Sequence, residues 1–344
     1  MLHKFYKNIK NAINYSETLM VTIKHTFNAY RHYFAYDYLR TENIIFSQTG
    51  YTCNQTFTSL CLFASFDPQG IIQPYLIRYL QQLSQLDIEI IFVSTSPTFR
   101  NEEIKKIFLF CSKIILRKNT GHDFGSWATA IKLLQNEKID FSRYKNILIA
   151  NDSLYGPLFD LRPIFDKMEK MNVDFWAMTE SFEIKYHLQS YFIVFNRSLI
   201  LNPSWINFWK DYKLYQNKRS IIYFGEITLS QYLIRKGFKS AVAFPINELL
   251  SKLQNTQNKN SLKGIPTTQV YYNPVIYLWD LLLEQLSFPF IKRELFVNNK
   301  IYPLTLAHDK WKETVINAGS KFPTELISQH LKLQNNKPSN YKIK

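Results

Sequence analysis

Four polar segments of this 344-residue chain follow apolar runs, in positions where chemistry is commonly done. The first reads Asn119-Thr120-Gly121-His122-Asp123-Phe124-Gly125-Ser126-Trp127, between a predicted strand and a predicted helix. Its two glycines let a backbone approach a ligand closely, and the helix start offers unpaired N–H groups to an anion. Asp123 serves there either as a ligand contact or as a helix N-cap. The second, Asn151-Asp152-Ser153-Leu154-Tyr155-Gly156-Pro157, follows the apolar run Asn146–Ala150 directly. A carboxylate at such a strand end suits a hard divalent cation, Mg²⁺ or Mn²⁺, which would bridge a diphosphate; the alternative is an Asx-turn. The third, His187-Leu188-Gln189-Ser190-Tyr191-Phe192, offers His187 as a second metal ligand, an acceptor contact or a structural group. In the fourth, Phe224-Gly225-Glu226-Ile227, a carboxylate opens a predicted helix, and Gly225 leaves room for a substrate. Glu226 is the candidate general base.

The surrounding pattern says how these segments are carried. From residue 58, short β-rich apolar runs alternate with stretches of helical periodicity. The strands fall at Ser59–Phe66, Ile88–Val93, Lys113–Leu116, Asn146–Ala150, Asp174–Met178 and Leu188–Phe195. The helices fall at Ile72–Leu86, Asn101–Phe110, Asp123–Gln135, Leu161–Met171, Pro203–Tyr212, Glu226–Lys236 and Asn273–Leu286. Such alternation predicts an α/β fold with a mostly parallel sheet, and ligands bind at the carboxyl ends of its strands. That rule adds Asp67, in Asp67-Pro68-Gln69-Gly70, and Ser94 to the set. Asp67, Ser94, Gly121, Asp123 and Asp152 are thus the candidate anion and cofactor contacts. Trp127, Glu180, His187 and Gln189 are candidate substrate contacts, and Asp152 and His187 are the candidate metal ligands. Residues 1–50 carry an apolar stripe flanked by lysines and read as an amphipathic helical extension, which either packs on its own domain or contacts a membrane surface or a partner. Residues 251–269 are polar and read as a mobile loop, and 301–344 as a helical, basic tail.

Composition narrows the classes. The formal net charge of +15 favours anionic partners, but the cations are scattered, which argues against a nucleic-acid stripe. Cys53, Cys61 and Cys111 are odd in number and include no CxxC, so no disulfide framework or zinc site is expected and a cytoplasmic setting fits. No apolar stretch reaches the ~18 residues of a membrane span, and GxxxxGK, HExxH and GxSxG are missing.

Taken in order, FASFDPQG (63–70), NTGHDFGSW (119–127), NDSLYGP (151–157), DFWAMTES (174–181), HLQSYFIVF (187–195), FGEITLSQYLIRKGF (224–238) and NPVIYLWDLLLEQLSFPFIKRELF (273–296) resemble the rhamnan synthesis protein F family. The resemblance spans about residues 58–300. It implies a GT-A-like, Rossmann-related fold and transfer of rhamnose or a related deoxyhexose, typically from dTDP-rhamnose, to a growing lipid-linked surface polysaccharide. It also implies an inverting reaction at the inner face of the cell membrane. The layout is similar to the broad inverting glycosyltransferase family two as well. There an Asx-rich strand end holds metal and diphosphate, and a later Gly-Glu-Asp supplies the base. The matching residues here are Asn151-Asp152-Ser153 and Gly225-Glu226-Ile227, departures from the usual motifs. The competing class is a non-catalytic glycan- or membrane-binding scaffold of a polysaccharide assembly complex.

Overall fold

The computed structural model describes residues 43–255, 273–296 and 302–335, with 23, 24, 26 and 27 besides. Apart from those four, residues 1–42 of the expected extension lie outside the described residues, as does most of the expected polar loop.

Seven-residue runs of wholly buried side chains build the centre of the sheet. They are β2 (Ser59–Ser65) and β3 (Ile88–Ser94), and beside them lie β4 (Lys113–Arg117) and β5 (Asn146–Asn151). Strands buried on both faces read as unbroken apolar runs, which is why the sequence shows them within a residue or two. These four are parallel to one another. The edge strand β1 (Ile44–Thr49) joins β4 antiparallel. On the other side β10 (Phe192–Asn196) runs antiparallel between β5 and β7 (Phe175–Ala177), and β11 (Ser240–Val242) closes the sheet parallel to β7. The full order is β1-β4-β3-β2-β5-β10-β7-β11. The shorter strands β6 (Leu154–Tyr155), β8 (Glu180–Ser181), β9 (His187–Leu188) and β12 (Ile291–Lys292) form two small ladders, β6 with β12 and β8 with β9.

Helices cover both faces. On one, α1 (Pro74–Ser84) and α2 (Asn101–Phe108) share a core with α8 (Trp279–Leu286), α9 (Tyr302–Asn317) and α10 (Glu325–Asn335). On the other lie α3 (His122–Asn136), α5 (Pro203–Asp211) and α6 (Thr228–Arg235). α4 (Arg162–Glu169) and α7 (Ile246–Asn255) complete the longer helices. The chain winds from β2 outward to β4, then returns to the other side of β2 as β5, while its helices change face from α1 and α2 to α3. That reversal is the topological switch point, where the strand ends part and leave a crevice for a ligand.

Four expectations change. Residues 44–49, assigned to the helical extension, are the strand β1. Leu188–Phe195 divides into β9 and β10 around Gln189-Ser190-Tyr191. Residues 251–255, assigned to the mobile loop, are the last turn of α7. The tail is part of the fold: Trp311, Val315, Phe322, Ile327 and His330 are buried, and His330 Nδ1 lies 2.8 Å from the Tyr155 hydroxyl.

Candidate functional site

At the switch point, the residues just past β2, β3 and β5 meet the first turn of α3. The Asp152 amide donates to the Ala64 carbonyl, at 3.3 Å, which ties the ends of β5 and β2 together. Asp152 Oδ2 accepts from Ser65 Oγ at 2.9 Å and from the Phe66 amide at 3.1 Å. Asn151 bridges: its Oδ1 accepts from Ser153 N and Oγ, and its Nδ2 donates to Asp123 Oδ2 at 2.7 Å. The NDS segment is therefore an Asx-turn at the end of β5, tied to α3 through Asp123. Asp67 folds its own loop, its Oδ1 accepting from the Gln69 and Ile71 amides at 2.8 and 3.2 Å, while its backbone amide donates to Ser96 Oγ. Ser94 is buried beneath and donates to Ser96 Oγ at 3.0 Å, so it supports the Asp67 loop from below. Gly121, with φ of +76°, turns the chain into α3 in a conformation that side chains resist.

Charge in this crevice is frustrated. Burial and the neighbouring Asp152 push the half-buried Asp123 carboxyl up to about 7. Burial raises Asp152 as well, against the opposing pull of Arg293 and its own hydrogen bonds. Arg293 is the residue that the sequence did not single out. It sits at the end of the quoted segment 273–296, beside Lys292, in a largely apolar stretch.

Glu226 occupies a second cluster, and its setting differs from the one expected. It does not open a helix. It lies in a π-helical turn, Ile222–Ile227, between the short helix Lys218–Ile221 and α6, so the helix dipole does not account for it. Thr228 Oγ1 donates to the Tyr223 carbonyl five residues back, as π spacing allows. Such turns recur at functional sites. Glu226 Oε1 lies 3.1 Å from His187 Nε2, and Oε2 accepts from the Ser190 amide at 2.9 Å and from Ser190 Oγ. Burial opposes ionisation of Glu226, but these donors overcome it and hold the carboxyl down at about 2. The same pairing outweighs burial at His187 and raises it above the usual imidazole range. The two form an ion pair. The room above Gly225 is filled by protein, since a Cβ there would meet the Phe124 ring at 3.0 Å. Gly225 admits a packing partner and not a substrate.

Several of the expected contact residues have partners inside the protein. Trp127 is fully buried, and its indole N–H donates to the Ala150 carbonyl at 3.2 Å. Glu180 Oε1 accepts from the Ile246 amide at the start of α7. Gln189 is buried, accepting from Thr179 Oγ1 at 2.7 Å and donating to Asn273 Oδ1 at 3.0 Å. The expected Mg²⁺ or Mn²⁺ pair does not fit. His187 has both ring nitrogens engaged, Nε2 with Glu226 and Nδ1 with the Lys185 carbonyl at 2.8 Å, and a protonated imidazole has no lone pair for a metal. Asp152 belongs to the other cluster, where its neighbour is a guanidinium. Among the described residues no three His, Cys, Asp or Glu side chains gather as metal ligands.

A cavity of about 540 Å³ lined by Arg78, Gln82, Arg162 and Lys321 lies elsewhere, at the far end of α1 from Asp67. It holds none of the strand-end carboxylates.

A family model for rhamnan synthesis protein F matches residues 90–344, most of the chain, and the chain belongs to that family. The match continues past residue 300 and so takes in the C-terminal helices. Virulence protein VirA of Vibrio anguillarum is 33% identical over 205 residues, which is 55% of this chain and 64% of that protein. An uncharacterised protein, y4gN, of Sinorhizobium fredii is 23% identical over 205 residues, 58% of this chain and 52% of its own length. The chain thus spans less than two thirds of each of these curated relatives. A solved structure assigned as a nucleotide-diphospho-sugar transferase from Desulfovibrio desulfuricans G20 has 12% identity and a TM-score of 0.35, covering 67% of this chain and 96% of its own.

Proposed function

We propose that this member of the rhamnan synthesis protein F family is a nucleotide-sugar-dependent glycosyltransferase of polysaccharide synthesis, with a GT-A-like arrangement of its donor site. The finer reading is an inverting transfer of rhamnose or a related deoxyhexose, with dTDP-rhamnose the first donor to try. The acceptor is a lipid-linked glycan reached from the inner face of the membrane. Among the described residues no helix is long and apolar enough to cross a membrane.

The observation that carries the reading is the crevice itself. Asp67, Asp123, Asp152 and the Arg293 guanidinium act on one another's charge where the strand ends part, beside the N-terminus of a fifteen-residue helix. In an inverting transfer the acceptor hydroxyl oxygen attacks the anomeric carbon. The bond from that carbon to the phosphate oxygen breaks, and its electron pair leaves with the diphosphate. The acceptor's proton passes to a carboxylate. A base works best when its pKa lies near the working pH. Asp123, at about 7 with Asn151 as its one side-chain donor, meets that condition. Glu226, at about 2 and held by His187 and Ser190, does not. Asp123 therefore takes the role first given to Glu226, and the Glu226–His187 pair becomes a fixed wall of the site.

A panel of nucleotide sugars tests this by thermal shift, followed by release of nucleoside diphosphate in the presence of a lipid-linked acceptor extract. Stabilisation by one donor and turnover with inverted anomeric configuration are expected. Binding without turnover under all acceptors moves the chain to the scaffold class, and no stabilisation by any nucleotide sugar overturns the donor site.

A further inference from the structure

Arg293 reaches the crevice from the far end of the chain. β12 pairs with β6, placing Lys292 opposite Leu154 and Ile291 opposite Tyr155. The Arg293 amide donates to the Ser153 carbonyl at 3.0 Å, so the backbone fixes the residue beside the NDS turn. Its Nη1 donates to the Asp152 carbonyl oxygen at 2.7 Å, and the guanidinium carbon stands 5.8 Å over the Tyr75 ring. The same Nη1 lies 3.6 Å from Asp152 Oδ2, beyond hydrogen-bond range. That carboxylate already accepts from Ser65 and Phe66, so it does not close a bidentate pair with the guanidinium. The Arg293 side chain keeps 17% of its surface open. Its charge acts on Asp67, Asp123 and Asp152 together, which makes it the shared cation of the strand ends.

We propose that Arg293 does at this site what a divalent metal would do: its guanidinium binds the donor's diphosphate and takes up the charge that develops on the leaving oxygen. The inference rests on the nucleotide-sugar reading given above. A guanidinium keeps its charge at any working pH, and its fork of N–H donors matches two phosphate oxygens at once. The anchoring through Ser153, Asp152 and Tyr75 fixes the head before the donor arrives, so little ordering is left to do on binding. In the transfer step the pair of electrons from the broken carbon–oxygen bond settles on the diphosphate, and the guanidinium stabilises it without gaining or losing a proton. The C-terminal part of the chain is then part of the donor site, and not an appendage to it.

Calorimetric titrations with UDP, GDP and dTDP, and with uridine, guanosine and thymidine, in EDTA-dialysed buffer test this on the full chain. One nucleoside diphosphate should bind the wild type without added metal. Arg293→Gln should weaken that diphosphate about tenfold or more, the scale of one or more charged hydrogen bonds, and leave the bare nucleoside unchanged. Arg293→Lys keeps the charge but not the fork, and should fall between. If the glutamine variant does not fold, the lysine variant decides, because diphosphate affinity equal to wild type in it overturns the proposal. Binding that appears only with Mg²⁺ or Mn²⁺ and ignores both substitutions overturns the proposal and leaves the transferase reading standing. Failure of all three diphosphates to bind the wild type, with or without metal, overturns both.

Discussion

The strand-end crevice and the π-turn each hold a half-buried carboxylate, and the two are treated in opposite ways. At the π-turn Glu226 has a cationic partner and two donors from Ser190, and its charge is fully answered. In the crevice Asp123 has one amide donor and two acidic neighbours, Asp152 and Glu226, that raise it. A carboxylate that is satisfied in the resting protein has little to gain from accepting a proton. One that is crowded by like charge releases strain when it does. Groups whose surroundings push their pKa values apart usually divide the acid–base work between them, and the frustrated one is the reactive one. Sequence position alone favoured Glu226, because a glycine precedes it and a helix follows. What each carboxylate touches supports the reverse order, with Asp123 the proposed base.

The largest effect should come from Asp123→Asn. Transfer should fall ~10²–10⁴-fold, the scale of a general base, with donor binding retained. Stability should move the other way. The Asp123 pKa is raised in the fold, so its contribution is fully present below the unfolded value and is lost as pH rises through about 7. Above pH 7 the ionised side chain burdens the fold, and the asparagine variant should melt higher than wild type at pH 8. A variant with lower melting temperature and near-normal turnover would return the base to Glu226.

The pH profile of the wild type comes next. With Asp123 as base, kcat/KM should fall about tenfold per pH unit below the Asp123 value near 7 and level off above it. With Glu226 as base, whose carboxyl lies at about 2, the profile should stay flat from pH 5 to 8. Glu226→Gln should be milder in turnover, less than about tenfold, because a positioning group is lost and not the proton acceptor. Its cost should appear in stability, about 1–3 kcal/mol, since buried His187 loses its partner. The loss should be greatest between pH 4.5 and 6.5, above the ordinary value of Glu226 and below that of His187, and should shrink as pH rises through the raised His187 value.

The sequence shows the inner strands because burial on both faces writes an unbroken apolar run, as in Leu60-Cys61-Leu62-Phe63-Ala64. It does not show β1, whose side chains are mostly open to solvent and which is defined only by its ladder to β4. The break between β9 and β10 is set from outside as well, by Glu226 capturing the Ser190 amide 36 residues away in sequence. Strand-end rules put Asp67, Asp123 and Asp152 in one list without knowing their partners. Arg293 was beyond reach, because nothing local to Lys292-Arg293 says that it will meet Asp152, 141 positions earlier. The partners of Trp127, Glu180 and Gln189 were out of reach for the same reason. Their types suit sugar contacts, but a buried indole, carboxylate or amide needs a partner inside the protein, and each found one.

The contact that joins the two regions gives the smallest effect and the finest test of their division. Phe124 follows Asp123 on α3, and its ring lies against Gly225, which precedes Glu226 on the π-turn. Phe124 also packs on Trp127 at 5.0 Å and Tyr212 at 5.4 Å between ring centroids, so it cannot retreat freely. Gly225→Ala puts a methyl 3.0 Å from that ring, tighter than ordinary packing, and either the ring or the π-turn must shift by a few tenths of an ångström. Overpacking of this kind costs about 1–3 kcal/mol. Both carboxylates move relative to each other, so turnover should fall a few-fold. Nucleoside diphosphate affinity should hold, because Asp152 and Arg293 directly follow β5 and β12 and do not touch Gly225. If Gly225→Ala instead weakens the donor as strongly as it slows turnover, a substrate occupies the space over Gly225, and the wall between the two regions is part of the binding surface.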